Sequence, residues 1–135
     1  MNAVVDTNIF MDYAWERGKL KDFASKFFKE SMQCKHYVYL VRAVQNELKE
    51  HGVFDKIDLL VLNKLRVKRK LIIIDPTKEQ LELAKKVSAE LNIPFADASI
   101  AILAKETNCV IVTRDKHFFQ NLTQIVDCFK PEDLF

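Results

Sequence analysis

Acidic side chains recur at the ends of the apolar runs in this chain. Asp6 and Asp115 each follow a short apolar run that is typical of a buried strand. Glu47 lies on the helix predicted after a third such run, and Asp97 lies at the start of a later helix. Functional groups of open parallel sheets collect just beyond the carboxyl ends of the strands. We therefore expect these four carboxylates to converge.

Four converging carboxylates would repel one another unless cations neutralised them. Hard divalent cations such as Mg²⁺ and Mn²⁺ prefer oxygen ligands. A divalent cation lowers the pKa of a bound water, and a second one about 4 Å away neutralises a leaving oxygen. The acids therefore predict a metal site for phosphate-ester chemistry.

Each acid also has a purely structural interpretation. Asp6 could cap a helix, and Asp97 could complement a helix dipole. Burying an unpaired acid beside the apolar residues that follow Asp97 would, however, be costly. Glu50 competes with Glu47, because the two lie three residues apart on one helix. The metal interpretation is favoured for the four acids, whereas Asp12 is expected to face solvent.

Strands and helices must alternate along the chain to position these acids. Apolar and β-branched runs predict strands at 3–5, 37–41, 71–74, 109–112 and 124–127. Helical spacing predicts helices at 8–17, 20–32, 43–50, 53–67, 95–106 and 116–120, and another that starts after Thr77, where Thr77 and Gln80 form a capping box. This order predicts a single α/β domain over residues 1–135, with a mostly parallel sheet between two layers of helices.

Composition excludes several classes of protein. The net charge of +2 does not by itself indicate nucleic-acid binding. No apolar run is long enough to span a membrane, and we expect no signal peptide. The two glycines form no phosphate-binding loop. Three widely spaced cysteines predict reduced thiols in a cytoplasmic protein.

Some polar and aromatic residues could contact a nucleic acid. Arg114, Lys116 and His117 flank Asp115 and could bind phosphate, although each could also be ordinary surface. The basic run from 64 to 70 is better explained as a solvated helix end than as an RNA-binding patch. The aromatic-rich first two helices could form core, a partner groove or a homodimer contact, and the sequence does not separate these. Their members are Phe10, Met11, Tyr13, Trp15, Phe23 and Phe27. Core packing is favoured over base stacking for the tyrosine and the tryptophan.

The acids and their neighbours together resemble the PIN domain, and the resemblance spans essentially the whole chain. It rests on four segments: Val5-Asp6-Thr7-Asn8-Ile9-Phe10, Glu47, Phe95-Ala96-Asp97-Ala98, and Val112-Thr113-Arg114-Asp115-Lys116-His117-Phe118. PIN domains are metal-dependent ribonucleases with a three-layer α/β/α sandwich. Many small ones are VapC-like toxins of toxin–antitoxin pairs.

The resemblance implies an endoribonuclease that leaves a 5′-phosphate and a 3′-hydroxyl. It assigns catalysis and the binding of Mg²⁺ or Mn²⁺ to the four carboxylates. It assigns to Asn8 and Thr113 the orientation of acids or waters. It also implies an RNA substrate and an antitoxin partner. The aromatic-rich first two helices leave a homodimer open, and the lack of a long apolar run predicts no membrane association.

Two alternatives come from other classes. A haloacid-dehalogenase-like phosphatase would carry a second Asp where Asn8 stands. A non-catalytic PIN-like module would bind RNA or protein, but a pure binder has no reason to keep a repulsive acidic cluster. The RNA target is not predictable from the sequence.

Overall fold

A computed structural model describes residues 2–134 of the chain. The strands are β1 (Asn2–Val5), β2 (Val38–Val41), β3 (Leu71–Ile74), β4 (Cys109–Val112) and β5 (Cys128–Phe129). The α-helices of this range are α1 (Thr7–Ala14), α2 (Lys19–Gln33), α3 (Arg42–Glu50), α4 (Phe54–Ile57), α5 (Asn63–Val67), α6 (Lys78–Leu91) and α7 (Phe95–Glu106). None of these helices combines the length and apolar character needed to cross a membrane.

The strands form one sheet in the order β3-β2-β1-β4-β5, and all its pairings are parallel. The chain steps in one direction from β1 to β3 and in the opposite direction from β3 through β4 to β5. Because parallel crossovers are right-handed, α1 to α5 cover one face and α6 and α7 cover the other. The predicted three-layer α/β/α sandwich is confirmed.

The sheet and the first two helices form the centre of the core. All four residues of β4 are buried, as are Val4 and Val5 of β1. The rings of Phe10 on α1 and Phe28 on α2 stack with their centroids 5.2 Å apart. Phe10 and Phe27 are buried, and Tyr13 is half-buried. Most of the aromatic set in these helices is therefore core.

The turn between α6 and α7 fixes the start of α7. Asn92 ends α6 in the left-handed conformation with φ 53°, a common way to terminate a helix. Pro94 then precedes the first residue of α7 and favours an extended backbone before it. Asp97 consequently lies in the first turn of α7. At the start of α6, the predicted capping box of Thr77 and Gln80 is present.

Two regions differ from the sequence prediction. The predicted helix 53–67 contains a π-helical segment, Asp58–Leu62, between α4 and α5. The last strand was predicted at 124–127, which is wrong. The N–H groups of Ile125 and Val126 bond the carbonyl of Leu122 at the end of a second π-helical segment, Phe118–Leu122. Sheet pairing therefore starts only at residue 127 and gives β5.

Candidate active site

The site lies where the chain reverses direction across the sheet. β1 and β4 are neighbours, but the chain leaves them toward opposite faces. Such a switch point opens a crevice beyond the carboxyl ends of the two strands. Asp6 directly follows β1 and Thr113 directly follows β4, so both residues lie at this crevice.

An open cleft of about 300 Å³ occupies this position. All four predicted carboxylates line it: Asp6, Glu47, Asp97 and Asp115. They come from the end of β1, from α3, from the first turn of α7 and from the loop after β4. The structure therefore brings together residues that are far apart in the sequence. Asn8 lines the same cleft, and Thr113 lies buried beneath it.

Asp6 is the most buried of the four acids, with 8% of its surface exposed. Its Oδ1 accepts a hydrogen bond from the N–H of Thr7 (2.8 Å), so Asp6 does cap α1. Its Oδ2 accepts hydrogen bonds from the hydroxyl of Thr113 (2.7 Å) and the amide of Asn8 (3.3 Å). Burial raises the pKa of Asp6 against the effect of these bonds, and Asp115 and Glu47 raise it further. The capping role and a place at the cleft therefore coexist.

Thr113 links the two strand ends. Besides donating to Asp6, its hydroxyl accepts a hydrogen bond from the N–H of Asp115 (3.0 Å). The side-chain carbonyl of Asn8 accepts the N–H of Arg114 (3.1 Å). Oδ1 of Asp115 in turn accepts the N–H of His117 (2.9 Å). These bonds fix the acids at the ends of β1 and β4 relative to each other.

Asp97 is half-buried and closes the other side of the cleft. Burial raises its pKa to about 6, helped by Asp115, Asp6 and Glu47 and opposed by His117. The four acids therefore share one electrostatic environment. Within residues 2–134, however, no group of three acids, histidines or cysteines is close enough to form a complete metal-binding site without rearrangement. The arrangement is an open acidic cleft, which suits a cation that keeps several water ligands.

Arg114 has an internal role that the sequence did not indicate. Its guanidinium bonds Asp12 through Nε (2.9 Å) and both carboxylate oxygens of Glu132 (3.0 and 2.7 Å). It also lies over the ring of Phe23, 5.8 Å from the centroid. The prediction that Asp12 faces solvent is wrong, because only 1% of its surface is exposed and it pairs with Arg17 as well. Arg114 is thus engaged inside the protein rather than free to bind phosphate.

Lys116 is exposed and His117 is half-buried beside Asp115, so both remain near the cleft. The basic run 64–70 lies elsewhere, because it precedes β3 and therefore sits at the amino edge of the sheet. A more enclosed and more apolar cavity of about 240 Å³ also lies at that edge and carries no carboxylate. The chemistry therefore points to the cleft at the carboxyl edge.

Five further residues line the cleft: Thr7, Met11, Trp15, Arg17 and His51. The prediction that Trp15 packs in the core is wrong, because it ends α1 and 46% of its surface is exposed. Arg17 and His51 were missed. His51 follows Glu47 by four residues and therefore shares its helix face, a spacing that could have revealed it.

Comparison with known proteins is consistent with this geometry. The family model described as PIN domain matches residues 3–122. No curated protein matches the chain. The VapBC2 structure from Rickettsia felis, bound to a DNA fragment from its promoter, superposes with a TM-score of 0.68 at 19% identity, covering 96% of this chain and 98% of that one. VapBC-1 from nontypeable Haemophilus influenzae gives 0.67 at 17% identity, covering 98% and 99%. FitAcB from Neisseria gonorrhoeae gives 0.64 at 20% identity, covering 98% and 99%.

Proposed function

Because the chain belongs to the PIN domain family, we propose that it is a divalent-metal-dependent endoribonuclease that hydrolyses RNA phosphodiester bonds. We further propose that it is the toxin of a toxin–antitoxin pair. The family is generally one of nucleases, whereas metal dependence, the RNA substrate and the toxin role are the parts proposed for this chain.

The observation that carries the proposal is the convergence of Asp6, Glu47, Asp97 and Asp115 on one cleft. All four come from separate crossover connections, so local helix or strand formation does not require their proximity. Their mutual repulsion contributes to the raised pKa of both Asp6 and Asp97. A fold that keeps this unfavourable arrangement gains from it only if a cation relieves the repulsion.

The donor set fits Mg²⁺ or Mn²⁺. All four side chains offer carboxylate oxygens, which hard cations prefer, and no thiol lines the cleft. When bound, such a cation supplies a water of lowered pKa and positive charge beside the leaving oxygen. We assign its ligands to the four carboxylates, held directly or through water.

The chain's own residues supply orientation. Thr113 and Asn8 hold the carboxylate of Asp6 from behind, and Thr113 also fixes the backbone at Asp115. Such supporting hydrogen bonds set the direction of ligating carboxylates. Asp97 has fewer constraints, since its environment is set mainly by burial and neighbouring charge. In the metal-free protein it therefore holds a proton below about pH 6, and a cation that bound there would displace this proton to solvent.

The toxin role and the partner rest on the structural neighbours. Several of these are toxin–antitoxin structures, including complexes from Klebsiella pneumoniae and Haemophilus influenzae. By analogy we propose an antitoxin protein as the partner of this chain and the cytoplasm as its location. Homodimerisation stays a prediction.

The test is a cleavage assay on single-stranded RNA with a matched pair of variants. Excess chelator should abolish cleavage, and Mg²⁺ or Mn²⁺, but not Ca²⁺, should restore it, because Ca²⁺ is larger and less suited to octahedral geometry. Glu47→Gln should lower turnover by orders of magnitude. Glu50→Gln is the control, because it removes the same charge from an exposed position on the same helix. Full cleavage in excess chelator, or equal loss in the two variants, would contradict the proposal.

A further inference from the structure

The rim of the cleft carries three planar side chains close together. The guanidinium of Arg17 lies over the ring of Trp15, 4.6 Å from its centroid. The ring of His51 meets Trp15 edge to face, with centroids 5.7 Å apart and an interplanar angle of 89°. All three line the same cleft as the four carboxylates. None of them takes part in the proposed hydrolysis.

These side chains are accessible. Trp15 is 46% exposed, and the side chain of Arg17 is 41% exposed. His51 is exposed as well. An exposed tryptophan forgoes much of the stabilisation that burial of its large ring would give. The ring position is therefore better explained by a ligand than by packing.

The platform is also held in place. Trp15 ends α1, where its N–H bonds the carbonyl of Met11 (2.8 Å). The guanidinium of Arg17 bonds Oδ1 of Asp12 (3.2 Å), which keeps it over the indole. His51 ends α3, where its N–H bonds the carbonyl of Glu47 (3.0 Å). The platform thus lies at the carboxyl ends of α1, which Asp6 caps at its other end, and of α3, which carries Glu47.

We propose that the indole of Trp15, with Arg17 over one face and the ring of His51 edge to face beside it, stacks on an unpaired nucleobase of the substrate and so selects single-stranded or loop RNA. Unstacked bases bind aromatic rings and arginine planes, and a duplex cannot offer them without opening. The positive charge of Arg17 adds attraction for the phosphate backbone. This inference rests on the proposed function, because it identifies the class of RNA that the same cleft would accept.

The platform and the acids are separated along α1. Asp6 precedes α1 and Trp15 follows it, a distance of about 13 Å at 1.5 Å per residue. That is well beyond the rise of about 3.4 Å between stacked bases. A base stacked on Trp15 therefore lies at the end of the cleft away from Asp6, and we expect it to belong to a nucleotide beside the scissile phosphate. Cleavage should consequently occur at a fixed offset from it.

Binding can be read directly from the protein, because Trp15 is its single tryptophan. The probe is an oligoadenylate of about ten nucleotides, titrated onto the Asp97→Asn variant so that it is not cleaved. We expect saturable quenching of the tryptophan fluorescence, which a blunt RNA duplex of equal length does not produce. If the emission is unchanged at saturating single-stranded RNA, with binding verified by anisotropy, the proposal is overturned. The exposed Trp15 ring would then be better explained by contact with a protein partner.

A substitution series separates stacking from structure. Trp15→Ala should weaken binding of the oligoadenylate about 10- to 100-fold, the range expected for loss of one stacking partner. Trp15→Phe should restore most of the affinity. Tyr37→Ala is the matched control, because Tyr37 is 42% exposed and lies near a lysine, Lys70, but sits at the opposite edge of the sheet. Equal effects of Trp15→Ala and Tyr37→Ala would refute the platform.

An abasic scan identifies the base and keeps the two proposals distinct. In cleavage assays, one abasic position should reduce the kcat/KM of the wild type but leave that of Trp15→Ala unaffected, since the stacking partner is already lost. If the wild type cleaves RNA but no single abasic position lowers its kcat/KM, the platform is overturned while the proposed hydrolysis stands. Quenching by RNA without any cleavage would support the platform and contradict the proposed hydrolysis.

Discussion

The Asp97→Asn substitution removes one negative charge from the cleft while nearly preserving side-chain size. Asp97 is half-buried in the first turn of α7. Burial raises its pKa to about 6, and Asp115, Asp6 and Glu47 add to this. In the metal-free protein the charged form of Asp97 is thus unfavourable. We therefore expect the asparagine variant to be the more stable one at neutral pH.

The sign and size of the effect follow from the pKa. Well below the ordinary pKa of 3.8 the carboxyl group is protonated in both the folded and the unfolded state, so the substitution gains nothing. The cost of ionisation appears as pH rises from the ordinary pKa of 3.8 to about 6, and it is constant above that. The full difference corresponds to about 3 kcal/mol. Screening by solvent at this partly exposed side chain reduces it to about 1 kcal/mol, or roughly 4 °C in Tm.

Thermal melts in excess chelator test this, at about pH 4 and about pH 7.5. Asp97→Asn should melt roughly 4 °C above the wild type at the higher pH and near it at the lower one. Asp127→Asn is the control, because it removes the same charge from an exposed position at the amino end of β5. The same preparation of Asp97→Asn should show turnover reduced by orders of magnitude.

Three results would count against this reasoning. A Tm difference that is the same at both pH values would show that the charge of Asp97 is not the cause. A variant that is less stable than the wild type at about pH 7.5 would show that Asp97 is a structural residue. Wild-type turnover in the variant would remove Asp97 from the catalytic set.

Further outcomes concern the cation and the supporting bonds. Mg²⁺ at a free concentration of about 100 times its dissociation constant should stabilise the metal-free wild type by about 2.7 kcal/mol, measured by thermal shift. The absence of a shift would contradict metal binding. Thr113→Val should lower the free energy of unfolding in urea by about 1–3 kcal/mol, because Asp6 loses a buried donor, and Thr113→Ser should restore it. Asp12→Asn should cost about 3 kcal/mol by breaking the buried ion pair with Arg114. Arg66→Gln, at an exposed pair, should cost less than about 1 kcal/mol, and equal losses would disprove the buried network.

The sequence predicted most of the fold because its signals are local. Strands β1 to β4 lie within about one residue of their predicted positions, since each is a short apolar run. Hydrogen bonding after the second π-helical segment decided where β5 begins, and no residue pattern at Thr123 to Val126 reveals that. The π-helical segment Asp58–Leu62 was likewise missed, because its apolar positions also fit an α-helix.

The residues of the candidate site likewise fall into those that local sequence patterns reveal and those that depend on distant contacts. Asp6, Asp97 and Asp115 could be found because each follows a recognisable strand or opens a helix, whereas Glu47 was preferred over Glu50 from its place in the PIN-like pattern. Asp12 could not be placed, because its partner Arg114 lies 102 residues away in the sequence. Trp15 was assigned to the core because helical spacing continues to it, yet α1 ends at Ala14 and the ring turns to the cleft. Contacts that form only once the sheet has assembled cannot be predicted from a local sequence pattern.

The central position of β1 in the sheet determines when the cleft can form during synthesis. β1 pairs with β4 across 107 residues, from Asn2 to Cys109, and the bond from Thr113 to Asp6 spans the same separation. A nascent chain whose β4 has not left the ribosome can hold β1 against β2, but it has neither Thr113 nor Asp115 in place. Closing so long a connection also comes late in folding. The proposed nuclease would therefore be unable to cut the messenger or the ribosome that is making it until the segment from β4 to Asp115 has been translated and has left the ribosome.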